Sequence, residues 1–518
     1  MASSHGSSLW ADLPDPSAKP IPYLVVAFLA TLLMYTVQSS SKTYMRSLPH
    51  LNPKEPLALT NLGPKKQFYF NCWDLLAGWY GRNPDKPARM ITSDVGELML
   101  LPPQVTNEVR NNPHLSFSKY IYTAFHAHLP GFEGFREGSR DSHIVQAVIM
   151  KDLTKYLNKV TEPLAEETAL ATPELFPVGE NNEWQSVPLR ETLLRLVARI
   201  SSRVFLGEEL CRNEEWLKVT REYTVDSFKA AEYLRFFPTW TRPFVHWFLP
   251  SCRVARGHVA TARRVIAPVL QKRREQKNSN EKVEFDDAME WFEKEAKGQE
   301  YDPAISQLVL SMAAIHTTTD LVSQVLTDLC KHPEIVEPLR KEIVACLEDG
   351  GWKKTSLYNM KLLDSVIKET QRVKPVSMVS LRRIATQDVK LSNGSTIPKG
   401  AATAVMAHRM WDASVYENPD QWDGYRFLRM REEPGRENMA HLVSTSADHM
   451  GFGHGAHACP GRFFAANETK LALVYLLLKY DWRLPEGVTP KIRKFGFSLG
   501  TDPTMKMEYR GREPEIEI

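Results

Sequence analysis

A glycine-rich loop around one cysteine constrains this chain more than any other feature. The loop reads Met450-Gly451-Phe452-Gly453-His454-Gly455-Ala456-His457-Ala458-Cys459-Pro460-Gly461-Arg462. Its three alternating glycines give a backbone that can bend tightly and approach a flat ligand closely. A helix is expected to begin just after Cys459, and its N-terminus offers N–H groups and a positive dipole end to the sulfur. These surroundings favour a thiolate, the form in which cysteine binds haem iron as an axial ligand.

Three other interpretations of the loop remain open at the level of its residues. The alternating glycines are reminiscent of a phosphate-binding loop, but neither a Lys-Ser/Thr pair nor a βαβ pattern follows them. His449, His454, His457 and Cys459 are residue types that bind zinc, although their spacings are too short or too irregular for a structural zinc site. The segment could also be a glycine-rich surface turn with a buried cysteine.

Composition excludes several classes of protein. The 518 residues are 43% hydrophobic and 25% charged, an ordinary globular mixture that excludes a disordered chain, a collagen and a polytopic membrane protein. Lys and Arg number 65 against 62 Asp and Glu, so a net charge of +3 gives no reason to expect a nucleic-acid partner. The six cysteines are far apart and form no Cys-x-x-Cys pair, which argues against a secreted disulfide scaffold.

The N-terminal region predicts a single membrane anchor. Residues 20–41 carry no charge, and as a helix they would span about 33 Å, enough for the hydrocarbon core of a bilayer. Lys42 and Arg46 follow directly, which places the body in the cytoplasm and residues 1–19 in the lumen, most simply at the endoplasmic reticulum. A cleaved signal peptide is the alternative, but a basic leading segment and a small-residue cleavage site are missing. Residues 42–56, with three prolines, predict a stiff linker to the body.

The remaining residues 57–518 predict one large, mainly α domain with small β-sheets. Apolar spacing at helical period, prolines and turn residues define the main elements. The predicted helices are 153–167, 189–206, a long buried helix at 304–329, 361–374 and 462–479, and short strands are predicted at 389–391 and 396–397.

The cysteine loop resembles a known family. Phe452-x-x-Gly455-x-His457-x-Cys459-x-Gly461 is similar to the haem-binding signature of the cytochrome P450 superfamily, with His457 at the position where arginine is usual. The resemblance extends over about residues 57–510. It implies the cytochrome P450 fold and a haem b cofactor whose iron is bound by the Cys459 thiolate. It also implies that Phe452, Gly455, His457 and Gly461 contribute to binding this cofactor.

Two further motifs occur upstream in the order that the resemblance implies. Glu369-x-x-Arg372 matches the family's Glu-x-x-Arg pair, and residues three apart share a helix face. The segment Pro419–Phe427 supplies Arg426 as the implied third member of a buried charge network. We expect these three residues to hold the cysteine loop in shape, because loss of one partner would leave an unpaired buried ion.

The central helix supplies the implied catalytic residues. Ala313-Ala314-Ile315-His316-Thr317-Thr318-Thr319-Asp320 stands where the family usually has a glycine, an acid and threonines. The resemblance therefore implies that Thr317 faces the oxygen site. His316 replaces the acid, and a histidine can also relay protons near neutral pH. The alternative is that His316 is only a hydrogen-bonded core residue.

The haem carboxylates require cationic partners. Many family members supply a Trp-x-x-x-Arg near residues 143–152, which this chain lacks; His143 and Lys151 are the expected substitutes. Arg382 or Arg383 and His457 are the other expected contacts, since charge-assisted hydrogen bonds suit carboxylates.

The resemblance implies a monooxygenase. The details of the central helix and the cysteine loop are similar to filamentous-fungal members, which often act on terpenoids in natural-product pathways. Aromatic segments at 117–135 and 228–248, with 377–379 and 497–499, indicate a bulky lipophilic substrate taken from lipid. No flavin or nicotinamide domain is visible, so NADPH-derived electrons for O2 must come from a separate NADPH–cytochrome P450 reductase. Arg429, Arg431 and Arg462 are candidate docking residues.

Two other functions stay open. A thiolate–haem relative can rearrange or dehydrate its substrate without external electrons, and the missing acid at His316 permits that chemistry. A non-catalytic haem- or lipid-binding membrane protein is the alternative of another class. Turnover without a reductase favours the first, and ligand uptake without any product favours the second.

Overall fold

The computed structural model describes Val25 and residues 43–58, 60–140, 144–279 and 284–518. Helices dominate this part of the chain and confirm the predicted helix-rich class. The α-helices are α1 Thr43–Ser47, α2 Leu62–Arg82, α3 Thr106–Val109, α4 Phe117–Ala124, α5 Glu133–Gly138, α6 Ile144–Ala147, α7 Leu157–Leu175, α8 Leu189–Leu206, α9 Glu214–Leu234, α10 Arg242–Val245, α11 Pro250–Asn278, α12 Ala288–Ala296, α13 Pro303–Lys331, α14 Val336–Gly350, α15 Lys354–Asn359, α16 Lys361–Val373, α17 Arg426–Met430 and α18 Arg462–Lys479.

The strands form small sheets, as the sequence predicts. They are β1 Ala88–Ile91, β2 Glu97–Leu101, β3 Leu115–Ser116, β4 Gln185–Pro188, β5 Val379–Ala385, β6 Val389–Lys390, β7 Thr396–Ile397, β8 Ala402–Met406, β9 Tyr480–Arg483, β10 Ile492–Phe495, β11 Ser498–Thr501 and β12 Lys506–Gly511. The largest sheet has the order β1-β2-β8-β5-β3, a second has the order β4-β12-β9, and β10-β11 and β6-β7 are two-stranded. Only β2 and β8 pair in parallel among the described strands.

The long apolar helix α13 lies at the centre of the largest hydrophobic cluster. It begins where Asp302 accepts hydrogen bonds from the backbone N–H groups of Ala304 and Ile305 at 3.1 and 3.2 Å, with Pro303 at the first helical position. Apolar residues on nearly every side explain why it is buried rather than amphipathic. It ends at Lys331, two residues before Pro333, which agrees closely with the prediction of 304–329.

Helices α16 and α18 bring two of the predicted motifs towards α13. Helix α16 ends at Val373 because Lys374 precedes Pro375 and a residue before proline disfavours helical backbone. Helix α18 begins directly after the cysteine loop and packs against the four helices α7, α13, α14 and α15. A π-helix at Val148–Leu153 follows α6, and two of its side chains reach the cavity described below. A π-helix accommodates an extra residue within a helical turn, and such irregularities are frequent at functional sites.

The N-terminal predictions fall largely outside the described residues. The predicted anchor at 20–41 lies outside them except for Val25, and no described helix has both the length and the apolar character required to cross a bilayer. The predicted linker at 42–56 is packed against the body where it is described. Met45 and Leu48 are buried, and the Leu51 N–H donates to the Arg89 carbonyl at 3.0 Å.

Candidate active site

A cavity of about 290 Å³ lies between α13 and the cysteine loop. One wall is the face of α13 that carries Ala313, Ala314 and Thr317, and the opposite wall is formed by Phe452 and Cys459 with the start of α18. The π-helix closes one side with apolar side chains. A flat apolar slot with one cysteine sulfur in its wall is the shape expected for a site that binds a planar macrocycle.

The glycines of the loop are required by its backbone path. Gly453 and Gly455 have φ values of +69° and +82°, which L-residues rarely adopt. A Cβ at Gly455 would lie 2.5 Å from the Cβ of Arg110, and one at Gly451 would lie 2.2 Å from Gln371 Oε1. The loop is closed by a hydrogen bond of 2.8 Å from the Cys459 N–H to the Phe452 carbonyl. This path excludes the interpretation of the segment as a glycine-rich surface turn, because both ends of the loop are fixed against neighbouring elements.

Cys459 lies at the start of α18 with two groups that favour its thiolate. Burial raises the pKa of the Cys459 thiol, while the Gly461 N–H and the Arg462 guanidinium lower it. The net direction is upward, so the free thiol keeps its proton at neutral pH. Haem iron would bind the sulfur in place of the proton and so stabilise its thiolate form, because metal ligation requires a deprotonated cysteine. The donor set therefore fits a cysteine-ligated haem.

Glu369, Arg372 and Arg426 meet in the interior. The Arg372 guanidinium donates to both Glu369 oxygens at 2.8 and 2.9 Å, and Arg426 Nε donates to Oε1 at 3.1 Å. The side chains of Glu369 and Arg372 are 0% exposed, and that of Arg426 is 9% exposed. Arg372 also donates to the Pro419 carbonyl at 2.8 Å, which ties α16 to the segment that precedes α17.

Helix α16 connects this charge network to the cysteine loop. Gln371, between the two charged members, packs directly against Gly451. The ring of His449 contacts the Lys368 carbonyl at 3.3 Å through Nε2. The helix that carries Glu369 and Arg372 therefore supports the back of the loop, and the predicted structural role of the network has a physical route to Cys459.

Thr317 and His316 point in different directions. The Thr317 hydroxyl lies at the cavity wall and donates within α13 to the Ala313 and Ala314 carbonyls, at 2.9 and 3.1 Å. His316 contacts the Arg221 carbonyl of α9 through Nε2 at 2.9 Å and does not line the cavity. Burial lowers the pKa of His316 to about 4, so the ring is neutral near pH 7. The expected catalytic role of His316 is therefore corrected: it is a hydrogen-bonded core residue, because adjacent positions on a helix face different directions.

We expect substitutions at these neighbours to separate their roles. The resemblance to cytochrome P450 predicts that Thr317→Ala, which removes the hydroxyl from the cavity wall, diverts electrons to hydrogen peroxide. His316→Gln retains a donor for the Arg221 carbonyl and leaves the peroxide yield within about twofold of the parent enzyme, a change below ~0.5 kcal/mol in barrier. Peroxide formed per NADPH consumed is the measurement. A larger effect at His316 than at Thr317 would contradict this assignment.

Arg383 and His457 both lie near the ring of Phe117. The Arg383 guanidinium lies 5.4 Å from the Phe117 ring centre, and the His457 ring lies 5.6 Å from it. Arg383 is 3% exposed, its Nη2 has no hydrogen-bond partner among the described residues, and burial lowers its pKa to about 10. A buried unpartnered guanidinium nitrogen needs an anion, and a haem carboxylate supplies one.

An irregularity in β5 separates Arg383 from Arg382. The register with β8 shifts between Ser380 and Arg383, and Leu381 has a φ of 50°. Such bulges re-aim side chains beside active sites. Arg382 therefore donates to the Ser377 hydroxyl at 2.9 Å and lines a different cavity, bounded by Phe68, Phe228 and Phe497.

Four other expected site residues need separate mention. Lys151 has a side chain that is 61% exposed and is ion-paired with Glu295, so it is not a carboxylate partner at the cavity. His143 lies outside the described residues. Arg431 is paired with the buried Asp364, and Arg462 donates to the Cys459 and Val443 carbonyls. Arg431, whose side chain is 10% exposed, is corrected as a docking residue for a reductase, while docking by Arg462 stays a prediction.

Sequence reasoning missed three cavity or loop residues. Asp320 lines the cavity three residues after Thr317, and helical spacing alone could have placed both on one face. Gln371 occupies one of the unspecified positions of the Glu-x-x-Arg motif, which defines only the two charged residues. Arg110 packs against Gly455 and lies 2.8 Å from His454 Nε2 through Nη1, a contact across 344 positions that no local pattern signals.

Comparisons with known proteins agree with this geometry. The cytochrome P450 family model matches residues 149–506. The chain is 48% identical over 517 residues to cytochrome P450 monooxygenase hepE of Aspergillus oryzae, covering 98% of this chain and 94% of that protein. It is 50% identical over 442 residues to cytochrome P450 monooxygenase 1 of Gibberella fujikuroi, covering 84% of this chain and all of that protein. The cytochrome P450DA heme domain superposes with a TM-score of 0.68 at 17% identity, covering 91% and 99% of the two chains, and shows the shared fold.

The cysteine loop, the charge network behind it and these matches lead to one assignment. The family's members hold haem iron through a cysteine thiolate and use dioxygen with electrons from a redox partner. This chain belongs to the cytochrome P450 family and is a haem–thiolate monooxygenase.

Proposed function

We propose that this monooxygenase oxidises a bulky lipophilic substrate, of the terpenoid type found in fungal secondary metabolism. Its electrons come from NADPH through a separate NADPH–cytochrome P450 reductase, and its body is anchored to the endoplasmic reticulum membrane on the cytoplasmic side. The observation that carries the proposal is an aromatic surface next to α10, combined with an apolar active-site cavity.

The walls of the cavity are mainly apolar, which suits both the haem and a lipophilic substrate beside it. Leu310, Leu321, Phe205 and Val376 contribute apolar side chains around the wall that carries Thr317. Burial of a hydrocarbon there is favourable by about 25 cal/mol for each Å² removed from water. The charged and amide side chains of the lining are Asp320, Gln324, Gln371 and Lys374, whereas the wall at Leu310, Ala313 and Ala314 is apolar, which favours a lipophilic substrate.

The aromatic surface is formed by residues 236–248, between the end of α9 and the start of α11. Trp240 and Phe248 are 77% and 81% exposed, and Phe236, Phe244 and Trp247 are exposed with them. An exposed apolar patch of this density marks an interaction site, and tryptophan suits the membrane–water interface. The patch therefore supports contact with a bilayer, from which a lipophilic substrate would enter.

The chain's own residues have distinct tasks in this reaction. Haem bound through Cys459 supplies the redox chemistry by which dioxygen is activated. Arg383 and His457 would hold the cofactor carboxylates, and Glu369 with its two arginines keeps the cysteine loop in position. Thr317 presents a hydroxyl to the oxygen side of the cavity, and the apolar walls exclude bulk water from the substrate.

The test is reconstitution of the full chain with NADPH–cytochrome P450 reductase in phosphatidylcholine liposomes. A panel of fifteen- and twenty-carbon terpenoids is screened first by the spectral shift of the haem and then by product analysis. Products that carry one oxygen atom from ¹⁸O2 and require both NADPH and reductase support the proposal. Product formed without reductase would favour the isomerase or dehydratase alternative, and binding without product would favour a carrier.

The membrane part has its own control in the same liposomes. Trp240→Ser combined with Phe248→Ser is expected to weaken liposome binding of a chain that lacks residues 1–42, whereas Val488→Ser, at another exposed apolar residue, should leave binding unchanged. Equal binding of both variants would contradict the role of the aromatic surface.

A further inference from the structure

Helix α13 has a polar end that separates the active-site cavity from a second cavity. The second cavity, of about 260 Å³, is bounded by the end of α13, the end of α16 and the β10–β11 hairpin. Gln324 and Lys374 line both cavities. The exposed side chains of Lys331, Asp420 and Lys491 surround the second cavity, so it opens at the surface. Two polar residues are thus the partition between solvent and the active site.

Several buried polar atoms at this partition have no protein partner. Gln324 Oε1, Gln371 Oε1 and Thr501 Oγ1 are buried and make no hydrogen bond among the described residues. Gln324 and Gln371 line the active-site cavity, and Gln324 and Thr501 line the second one. Buried polar groups in native proteins are almost always satisfied by protein or by ordered water. These oxygens belong to residues that line two adjoining cavities, and each can accept a hydrogen bond from water.

Asp320 stands at the active-site end of this partition. It lines the active-site cavity one helical turn after Thr317, on the same face of α13. Its Oδ1 accepts from the Thr501 N–H at 2.7 Å, and its Oδ2 accepts from the Gln324 side-chain amide. His316, in the position usual for an acid, is turned towards α9 instead. Among the described residues that line the cavity, Asp320 is the carboxylate.

We infer that Asp320 and Gln324 form the proton entry of this enzyme, fed by water from the second cavity. The inference rests on the monooxygenase reaction: substrate C–H, dioxygen, two electrons and two protons give the C–OH product and one water. The reductase supplies the electrons, and solvent supplies the protons. Each proton passes from water held at Gln324 to Asp320 and then, through water in the active-site cavity that both residues line, to the Thr317 hydroxyl, which releases its own proton towards the oxygen site. Asp320 and Thr317 return to their initial states.

A second buried acid is the competing route. Glu468 on α18 is fully buried and accepts from the Ser201 hydroxyl, and burial raises its pKa to about 8. It lines neither of the two cavities. Asp320 is favoured because its partner Gln324 borders a cavity with access to solvent, whereas Glu468 is enclosed behind α13.

The test uses the haem-loaded full chain with reductase in liposomes, without substrate. NADPH-driven oxygen consumption is measured in H2O and D2O for Asp320→Asn, Asp320→Glu, Gln324→Leu, Glu468→Gln and Gln307→Leu. Gln307 is the matched control, a buried glutamine of the same helix that also has an unpartnered Oε1 but lines neither cavity. Haem content of each variant shows that it is folded.

Asp320→Asn and Gln324→Leu are expected to slow oxygen consumption by about 100-fold, the lower end of the range for general acid–base groups, and to enlarge the solvent isotope effect. Asp320→Glu should restore part of the rate, while Gln307→Leu and Glu468→Gln should match the parent enzyme. Unchanged rates and isotope effects in the first two variants would overturn the inference. So would an effect confined to Glu468→Gln.

A structural measurement decides the inference even if the reductase pairing proves wrong. A crystal structure of the haem-loaded parent enzyme should show ordered water within about 3.2 Å of Gln324 Oε1, continuing towards Asp320. A dry partition, or a protein group on that oxygen, would contradict the proton entry. Lack of reductase-driven oxygen consumption by the parent enzyme would count against the proposed partner alone.

Discussion

Cys459→Ser is expected to abolish monooxygenase activity and the thiolate-bound haem. Serine keeps the size of the side chain, but its hydroxyl does not ionise near neutral pH and replaces a strong thiolate donor by a weak neutral oxygen. The loss should be complete within assay sensitivity, because the cysteine loop offers no second cysteine that could supply a thiolate. Haem bound per chain and NADPH-dependent product formation are the measurements.

Cys346→Ser is the matched control for that substitution. Cys346 is a partly buried thiol on α14, outside the cavity, whose pKa burial raises above its usual value. Its replacement should leave haem content and activity close to those of the parent enzyme. Retention of thiolate-bound haem in Cys459→Ser, or its loss in Cys346→Ser, would show that the wrong cysteine has been assigned.

Glu369→Ala is expected to have the second largest effect. It leaves the guanidinium of Arg372 fully buried and without its carboxylate, a change that costs about 3–5 kcal/mol when one partner of a buried pair is removed. Helix α16 also loses the hydrogen bonds that Glu369 accepts from Arg426 and from the Asp423 N–H just before α17, and the loop that rests on Gln371 loses support. The expected result is little or no haem-loaded protein, measured by haem content and by thermal unfolding.

Glu433→Ala provides a matched comparison. Glu433 and Arg436 are also a glutamate–arginine pair three residues apart, but their side chains are 48% and 40% exposed. Exposed pairs contribute about 0–1 kcal/mol, so this variant should bind haem normally. Equal effects of the two substitutions would mean that burial of the Glu369 pair does not govern the loop.

Much of the fold was predictable because its signals are local. The predicted helices 189–206 and 462–479 coincide with α8 and α18, and the predicted 304–329 lies within α13. Apolar periodicity and flanking proline determine such elements over a few turns. The π-helix at 148–153 was missed, and the predicted helix 153–167 begins later, at Leu157. An inserted residue leaves no reliable mark in apolar spacing.

The site was predictable only where a motif carried it. The cysteine loop and the Glu-x-x-Arg pair are local motifs, and they identify Cys459, Glu369 and Arg372 from the sequence alone. The direction of His316 depends on the Arg221 carbonyl of another helix, and the exposure of Lys151 depends on Glu295. The two contacts join residues that are 95 and 144 positions apart in the sequence, a separation at which local sequence patterns carry no information.

The reduced, carbon-monoxide-bound absorption spectrum of the full chain in membranes tests the central claim most directly. Thiolate ligation through Cys459 predicts a Soret band strongly shifted to the red of that of histidine-ligated haem proteins, and its absence in Cys459→Ala. A band at the histidine-ligated position in the parent enzyme, or a red-shifted band that persists in Cys459→Ala, would contradict the assignment of Cys459 as the iron ligand.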